Sequence, residues 1–256
     1  MTADARPAAT VVVLREGVQG PEILMLKRSK QSGFFPHAWV FPGGRVDAAD
    51  ERAPSTGSAA GLPKGDDHFA VAAIRETFEE AGVWMGTGEA TPELRAQLNG
   101  RTATLGDAPE LVADLGRLAV WSWWITPEAE PKRYDTRFFV ALLQAEEAEA
   151  AVHDDIETVS SIWVTPAGAL ERSIGGDFFL APPTFRTLEE MAEYPTGEAI
   201  LAAARLREVR PVMPRLEMSD GGVCIVLPGD ESYPSDSPVE GPTRIEFKQG
   251  HWWSHS

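Results

Sequence analysis

The chain has 256 residues, 43% of them apolar, and a formal charge of -16. That composition supports one large domain, or one domain with an extension, around a full core, and excludes general disorder. The acidic balance excludes non-specific binding to nucleic acid or to an anionic membrane, although a bound divalent cation reverses the sign locally for a phosphate-bearing small molecule.

Residues 1–9 lack the apolar stretch of a signal peptide, and no segment reaches the ~20 apolar residues that span a bilayer. Residues 9–14, Ala-Thr-Val-Val-Val-Leu, read as a buried strand, and residues 22–28 as its return after a turn rich in glycine and proline. Trp39-Val40-Phe41 reads as a short strand stopped by Pro42-Gly43-Gly44. Residues 48–66, rich in Ala, Gly, Ser, Pro and Asp, read as a long surface loop.

The next segment is a helix capped by Asp66 or Asp67, with Val71, Ile74, Phe78 and Ala81 as its apolar stripe and Gly82 at its left-handed end. Its other side carries Glu76, Glu79 and Glu80, which helical spacing gathers on one face. Like charges so placed repel. Either solvent dilutes them or a cation sits on them. Mg²⁺ and Mn²⁺ take oxygen ligands, and Glu76 and Glu80, one turn apart, can reach one ion. Arg75 can pair with Glu79 and leave the other two open.

Residues 91–117 read as partly helical, and residues 118–126 and 137–143 as strands. An acidic run at residues 146–155 precedes the strand Ser161-Ile162-Trp163-Val164, and a helix starts at Pro166. Residues 187–207 are helical with a break near Pro195-Thr196-Gly197. Residues 223–227 and 243–248 form a terminal strand pair, with Cys224 as a small buried strand residue. One cysteine excludes a disulfide framework and fits a reducing compartment, here taken as cytoplasmic. The terminal Ser-His-Ser is not the peroxisomal Ser-Lys-Leu signal. Strands and helices alternate irregularly, which implies an α/β fold with a mixed sheet flanked by helices.

Two adjacent glycines let backbone approach a ligand closely and offer a bare carbonyl. Gly43-Gly44 together with Arg75-Glu76-Thr77-Phe78-Glu79-Glu80-Ala81-Gly82-Val83 resembles the Nudix hydrolase signature: Gly, five residues, Glu, seven residues, Arg-Glu, an aliphatic, any residue, Glu-Glu, any residue, Gly, an aliphatic. Thr77 stands in the aliphatic slot. Counted from Gly44, the glutamate position holds Asp50, with Glu51 next, and the stretch from there to Arg75 is longer than the signature allows. The chain thus resembles a Nudix box with an inserted loop, and loop insertions cost little in closure entropy.

Insertion at this place resembles the coenzyme A diphosphatase-like subgroup that includes peroxisomal mammalian enzymes. Further similar segments are residues 34–47 (from Phe34 to Asp47), 133–139, Pro183-Thr184-Phe185 and Leu227-Pro228-Gly229-Asp230. Of the bacterial coenzyme A motif before the box, Leu26, Arg28 and Ser29 fit, and the later Arg and Gly are missing.

The resemblance implies a Nudix α/β/α sandwich at residues 9–175, with residues 176–256 as a helical and strand extension on the same domain. It implies a metal site of Glu76, Glu79, Glu80 and the Gly43 carbonyl, holding Mg²⁺ or Mn²⁺, with Arg75, Glu79 and a later carboxylate as catalytic groups. That carboxylate is Asp154, Asp155 or Glu157, and the distance to Trp163 favours Glu157; the alternative is a solvated acidic loop. Arg28, Lys30 and Arg45 flank the glycine loop and can hold phosphates, with Lys30 nearer to ordinary surface charge. Arg137 is a further substrate-binding candidate beside Asp135, or the two simply pair. Trp121, Trp123 and Trp124 can stack on adenine or pack in the core. His251 and His255 have metal-like spacing on a helix, but a disordered tail is the expected state.

The implied reaction is metal-dependent cleavage of a nucleoside diphosphate derivative, with coenzyme A or acyl-coenzyme A leading and ADP-ribose, a dinucleotide or another nucleotide as alternatives. A non-catalytic binding module is the third reading. The extension can shape a pocket, form a homodimer interface or complete the core.

Overall fold

The computed structural model describes residues 3–30, 35–219 and 222–256. Phe34, one of the residues in the resemblance above, lies outside them. In chain order the strands are β1 (Arg6–Gly17), β2 (Gly20–Arg28), β3 (Trp39–Val40), β4 (Gly43–Arg45), β5 (Ser55–Thr56), β6 (Gly86–Thr87), β7 (Val112–Asp114), β8 (Ala119–Ile125), β9 (Tyr134–Leu142), β10 (Thr158–Val164), β11 (Pro211–Val212), β12 (Arg215–Ser219), β13 (Gly222–Val226), β14 (Arg244–Lys248) and β15 (His251–His255). The helices are α1 (Asp67–Ala81), α2 (Pro92–Asn99), α3 (Ala145–Glu149), α4 (Pro166–Ile174), α5 (Pro182–Met191) and α6 (Gly197–Leu206).

The main sheet runs β10-β2-β1-β9-β8-β11, with β3 on β2 and β4 on β1. β1 and β9 are parallel, as are β8 and β11, and the other pairs are antiparallel, so the sheet is mixed. Its central strands are apolar on both faces because both are covered. Val11, Val13, Leu24 and Leu26 join one core with α1. Val12, Leu14, Ile23 and Met25 join the other, with residues of α4, α5 and α6 and with Ile225, Ile245 and Trp252 of the C-terminal sheet. Helix, sheet, helix is the resulting order of layers.

The expected hairpin is β1–β2, in register from Leu14 with Ile23 to Gly17 with Gly20. Residues 48–66 do more than loop over the surface. They hold a 3₁₀ turn at Asp50–Arg52, pair Ser55 with Ala113 in a small sheet β5-β7-β6, and bridge Ala60 to Ala119 at the main sheet. Ala53 and Ala59 are buried there. Short alanines give no periodic signal, so their burial is invisible in sequence.

The terminal strand pair is part of a four-stranded sheet, β12-β13-β14-β15. Trp252 donates Nε1–H to the Leu180 carbonyl at 2.9 Å, which docks this sheet on the domain. The tail is therefore a strand. His251 and His255 share its edge-on period of two and sit about 13 Å apart at ~3.3 Å per residue, too far to share an ion. Among the described residues no helix is long and apolar enough to cross a membrane.

Candidate active site

α1 brings the acids together. Its apolar residues Val71, Ile74, Phe78 and Ala81 are buried against the β1 face of the sheet. Thr77 fits an apolar position because its hydroxyl donates to the Ala73 carbonyl one turn back, at 2.7 Å. Gly82 closes the helix at φ 71° and donates its N–H to Phe78 O.

Arg75 is the hub. Nε donates to Asp50 Oδ1 at 2.8 Å, and Nη2 to Asp50 Oδ2 at 3.0 Å and to the Arg45 carbonyl at 2.9 Å. Nη1 donates to Glu76 Oε1 at 2.9 Å and to Glu79 Oε1 at 3.0 Å. A guanidinium has five donor hydrogens, and here five acceptors meet them. Burial opposes the charge on Arg75, but the Asp50 hydrogen bond and the charges of Glu76, Asp50 and Glu79 overcome it and hold the group more basic than usual. Arg75 thus engages Glu76 as well as Glu79, a wider reach than the pairing expected from four-residue spacing.

Asp50 is only 2% exposed. It stands at the position where the signature has glutamate, so the insertion lies after this residue and leaves its bridge to Arg75 intact. Glu51 is exposed on the same turn.

The glycine turn meets the acids directly. Gly43 donates its N–H to Glu80 Oε2 at 3.0 Å. A Cβ on Gly44 would lie 2.5 Å from the Glu76 carboxylate, so this carboxylate rests on bare backbone. All three glutamates resist ionisation. Burial, then the charge of Glu79 and Glu157 against the pull of Arg75, raises Glu76 to about 7. Burial raises Glu79, partly offset by Arg75. Burial and then the Glu76 charge raise Glu80 well above the carboxylate range, with the Gly43 amide and Arg28 opposing.

A hard divalent cation fits this set. The donors are all oxygens, Glu80 is buried, Glu76 and Glu79 are partly buried around the single Arg75 charge, and the missing side chain of Gly44 lets the Glu76 carboxylate lie against backbone. Among the described residues no three acidic, imidazole or thiol groups already converge as a cage; Glu76 and Glu79 turn toward Arg75. A surface hollow of about 560 Å³ is lined by Asp114, Arg117, Glu147 and Arg205 and by none of the residues of this site.

Of the three downstream acids, Asp154 is spent on its own turn, accepting from the backbone of Ile156, Glu157 and Thr158 and from the Thr158 hydroxyl. Asp155 is exposed and pairs with His153 at 3.0 Å. Glu157 is exposed, and its charge acts on both Glu76 and Glu80. Arg28, at the end of β2, acts on Glu80, and its buried Nε has no hydrogen-bond partner among the described residues. Arg45 contributes its carbonyl to Arg75 and leaves its side chain exposed, and Lys30 is exposed.

Arg137 is elsewhere engaged. It pairs with Asp135 at 2.5 Å and Asp66 at 3.2 Å, and stacks between Trp123 and Phe69. Trp123 also donates to Asp135 and has one ring face covered by Arg137, and Trp121 is fully buried and offers no face to a base. Sequence reasoning missed Arg95 and Asn99 of α2, which both donate to the Glu79 carbonyl. Their four-residue spacing on a short helix is the only local sign, and it does not name the partner.

A mixed sheet between helices, with a Gly-Gly turn set against Arg75-Glu76 and Glu79-Glu80, defines a Nudix hydrolase. Residues 52–191 match the family described as NUDT19 Nudix domain. A chicken (Gallus gallus) protein named "Acyl-coenzyme A diphosphatase NUDT19" is 31% identical over 294 residues, covering 88% of this chain and 76% of the relative. The human (Homo sapiens) protein of the same name is 28% identical over 281 residues, 86% and 73% of the two chains. A crystal structure of a NUDIX hydrolase from Alicyclobacillus acidocaldarius, 28% identical, superposes with a TM-score of 0.68 over 78% of this chain and 96% of that one. The chain belongs to the NUDT19 Nudix domain family of Nudix hydrolases. Enzymes of this superfamily generally need divalent metal ions.

Proposed function

We propose that this enzyme hydrolyses the diphosphate of coenzyme A or an acyl-coenzyme A, with Mg²⁺ or Mn²⁺, to a phosphopantetheine and an adenosine bisphosphate. The substrate class rests on the names of relatives that share most of the chain. The site is carried by one observation: Glu80, a buried acid with no ion pair of its own among the described residues, and Glu76, partly buried and shared with Arg75, are both held against the Gly43-Gly44 backbone.

Glu76, Glu79, Glu80 and the Gly43 carbonyl would hold the cation. When bound, it would draw charge off the phosphate oxygens and make water a better nucleophile. Arg75 orients Glu76 and Glu79 through its fixed fork. Arg28 offers its unpartnered Nε to a phosphate oxygen, where fixed positive charge stabilises the charge that develops as the P–O bond breaks. Glu157 accepts the proton of the attacking water, whose oxygen bonds to phosphorus as the other phosphate leaves. The single buried cysteine in β13 suits a reducing compartment, and we place the enzyme in the cytoplasm.

Glu80→Gln tests the site. Metal-dependent turnover should fall at least ~1,000-fold, while the metal-free protein melts no lower than wild type, because the glutamine oxygen can still accept the Gly43 N–H and no carboxylate is left to bury. Turnover near the wild-type rate would remove Glu80 from the site.

A further inference from the structure

The last carbonyls of a helix have no partner within it. At the end of α1, Phe78 O accepts from Gly82 N and Ala81 O from Val152 N, each at 2.9 Å. Glu79 O accepts from Arg95 Nε at 2.9 Å and Asn99 Nδ2 at 3.2 Å, both from α2. Arg95 then reaches on, donating Nη2–H to the Val152 carbonyl at 2.9 Å. One guanidinium therefore joins the helix end that carries Glu79 and Glu80 to the start of the acidic segment 152–157. Gly82 leaves room for it: a Cβ there would stand 3.0 Å from Arg95 Nη1.

The far end of the same segment is also fixed. Ser29 donates its N–H to the Glu157 carbonyl at 2.9 Å, and Thr158 pairs with Arg28 across β10 and β2. Asp154 caps the turn between the two ends. Without Arg95, the segment keeps its β2 anchor, the Val152 to Ala81 backbone bond at its neck, and the contact of His153 Nδ1 with Ser161 Oγ of β10 at 3.2 Å.

We propose that Arg95 is a positioning residue for hydrolysis: by bridging the Glu79 and Val152 carbonyls it sets segment 152–157 on the end of α1, so that Glu157 faces the Glu76/Glu80 side of the helix. This rests on the reading of Glu157 as the base. A lysine cannot replace the fork, because one ammonium does not span two carbonyls in this geometry. Displacement of a reacting group by about 1 Å costs on the order of 100-fold in rate.

The test is steady-state kinetics with coenzyme A on Arg95→Ala, Arg95→Lys, Glu157→Gln and the Arg95→Ala/Glu157→Gln double variant. Arg95→Ala should lower kcat about 10- to 100-fold, with KM within about threefold. Arg95→Lys, which keeps the charge at the helix end, should recover little of that loss. In the Glu157→Gln background, Arg95→Ala should cost less than about twofold, since no base remains to be positioned. If the two losses multiply, or if Arg95→Ala or Arg95→Lys retains wild-type kcat, the proposal is overturned. Should Arg95→Ala not fold, Arg95→Lys carries the same comparison. A wild-type rate for Glu157→Gln would remove the base and this proposal together, while loss of turnover in Glu80→Gln would leave the metal-site reading standing.

Discussion

Arg75 and the glutamates around it form a balance of buried charge, and each partner can be tested alone. Asp50 supplies two of the five acceptors on Arg75 and is itself buried. Asp50→Asn would leave the guanidinium short of charge in a dry site, at a cost of about 3 kcal/mol, visible as a lower midpoint in urea with an unchanged slope. The raised glutamates have the opposite sign. A carboxyl raised to about 7 when folded, as Glu76 is, binds more protons in the native state than unfolded. Stability of the metal-free enzyme should therefore be fullest near the unfolded carboxylate value, fall as pH rises, and lose the whole contribution above about 7. Mn²⁺ at about 100 times its Kd should restore roughly 2.7 kcal/mol, raising Tm by about 5 °C or more at pH 8 and hardly at all at pH 5. Thermal melts at the two pH values check this.

Single elements place these residues. The glycine turn at β4 works by what it lacks. Gly44→Ala would push a methyl group onto the Glu76 carboxylate, the mobile end of a side chain. Metal affinity should fall tenfold or more in a Mn²⁺ titration, with Tm moved by less than about 3 °C, because the backbone can keep its place. In the C-terminal sheet, Arg244 donates to both oxygens of Asp230 at 2.8 Å. These hydrogen bonds, with those from Ser232, hold the Asp230 carboxyl far below its usual range. A depressed carboxyl stabilises the fold above its unfolded value, near 3.9, and that contribution drains away as pH falls toward the folded value. Fluorescence of Trp252 and Trp253 should report a loss of stability beginning below about pH 4, and Arg244→Leu should flatten that acid dependence.

At the scale of the molecule, what sequence could reveal follows from spacing. The acids of α1 were legible because helical period and the Nudix pattern fall on the same residues, and the strands of the main sheet because their apolar runs are long. Asp50 could be counted from Gly44, but its bridge to Arg75 crosses an insertion whose path sequence does not show. Ala53, Ala59 and Ala60 were hidden because small residues carry little pattern. The last strand was hidden because Trp252 is ordered by Leu180, 72 residues away in the chain. Arg95 joins three segments through backbone carbonyls, which leave no trace in residue identity.

The most direct test of the central claim is product analysis of the full-length enzyme incubated with coenzyme A, an acyl-coenzyme A and ADP-ribose, each with Mg²⁺ or Mn²⁺ and with excess chelator. The predicted result is metal-dependent release of phosphopantetheine or its acylated form together with adenosine bisphosphate, and none with chelator. Cleavage of ADP-ribose with both coenzyme A compounds untouched, or cleavage that survives chelation, would contradict it.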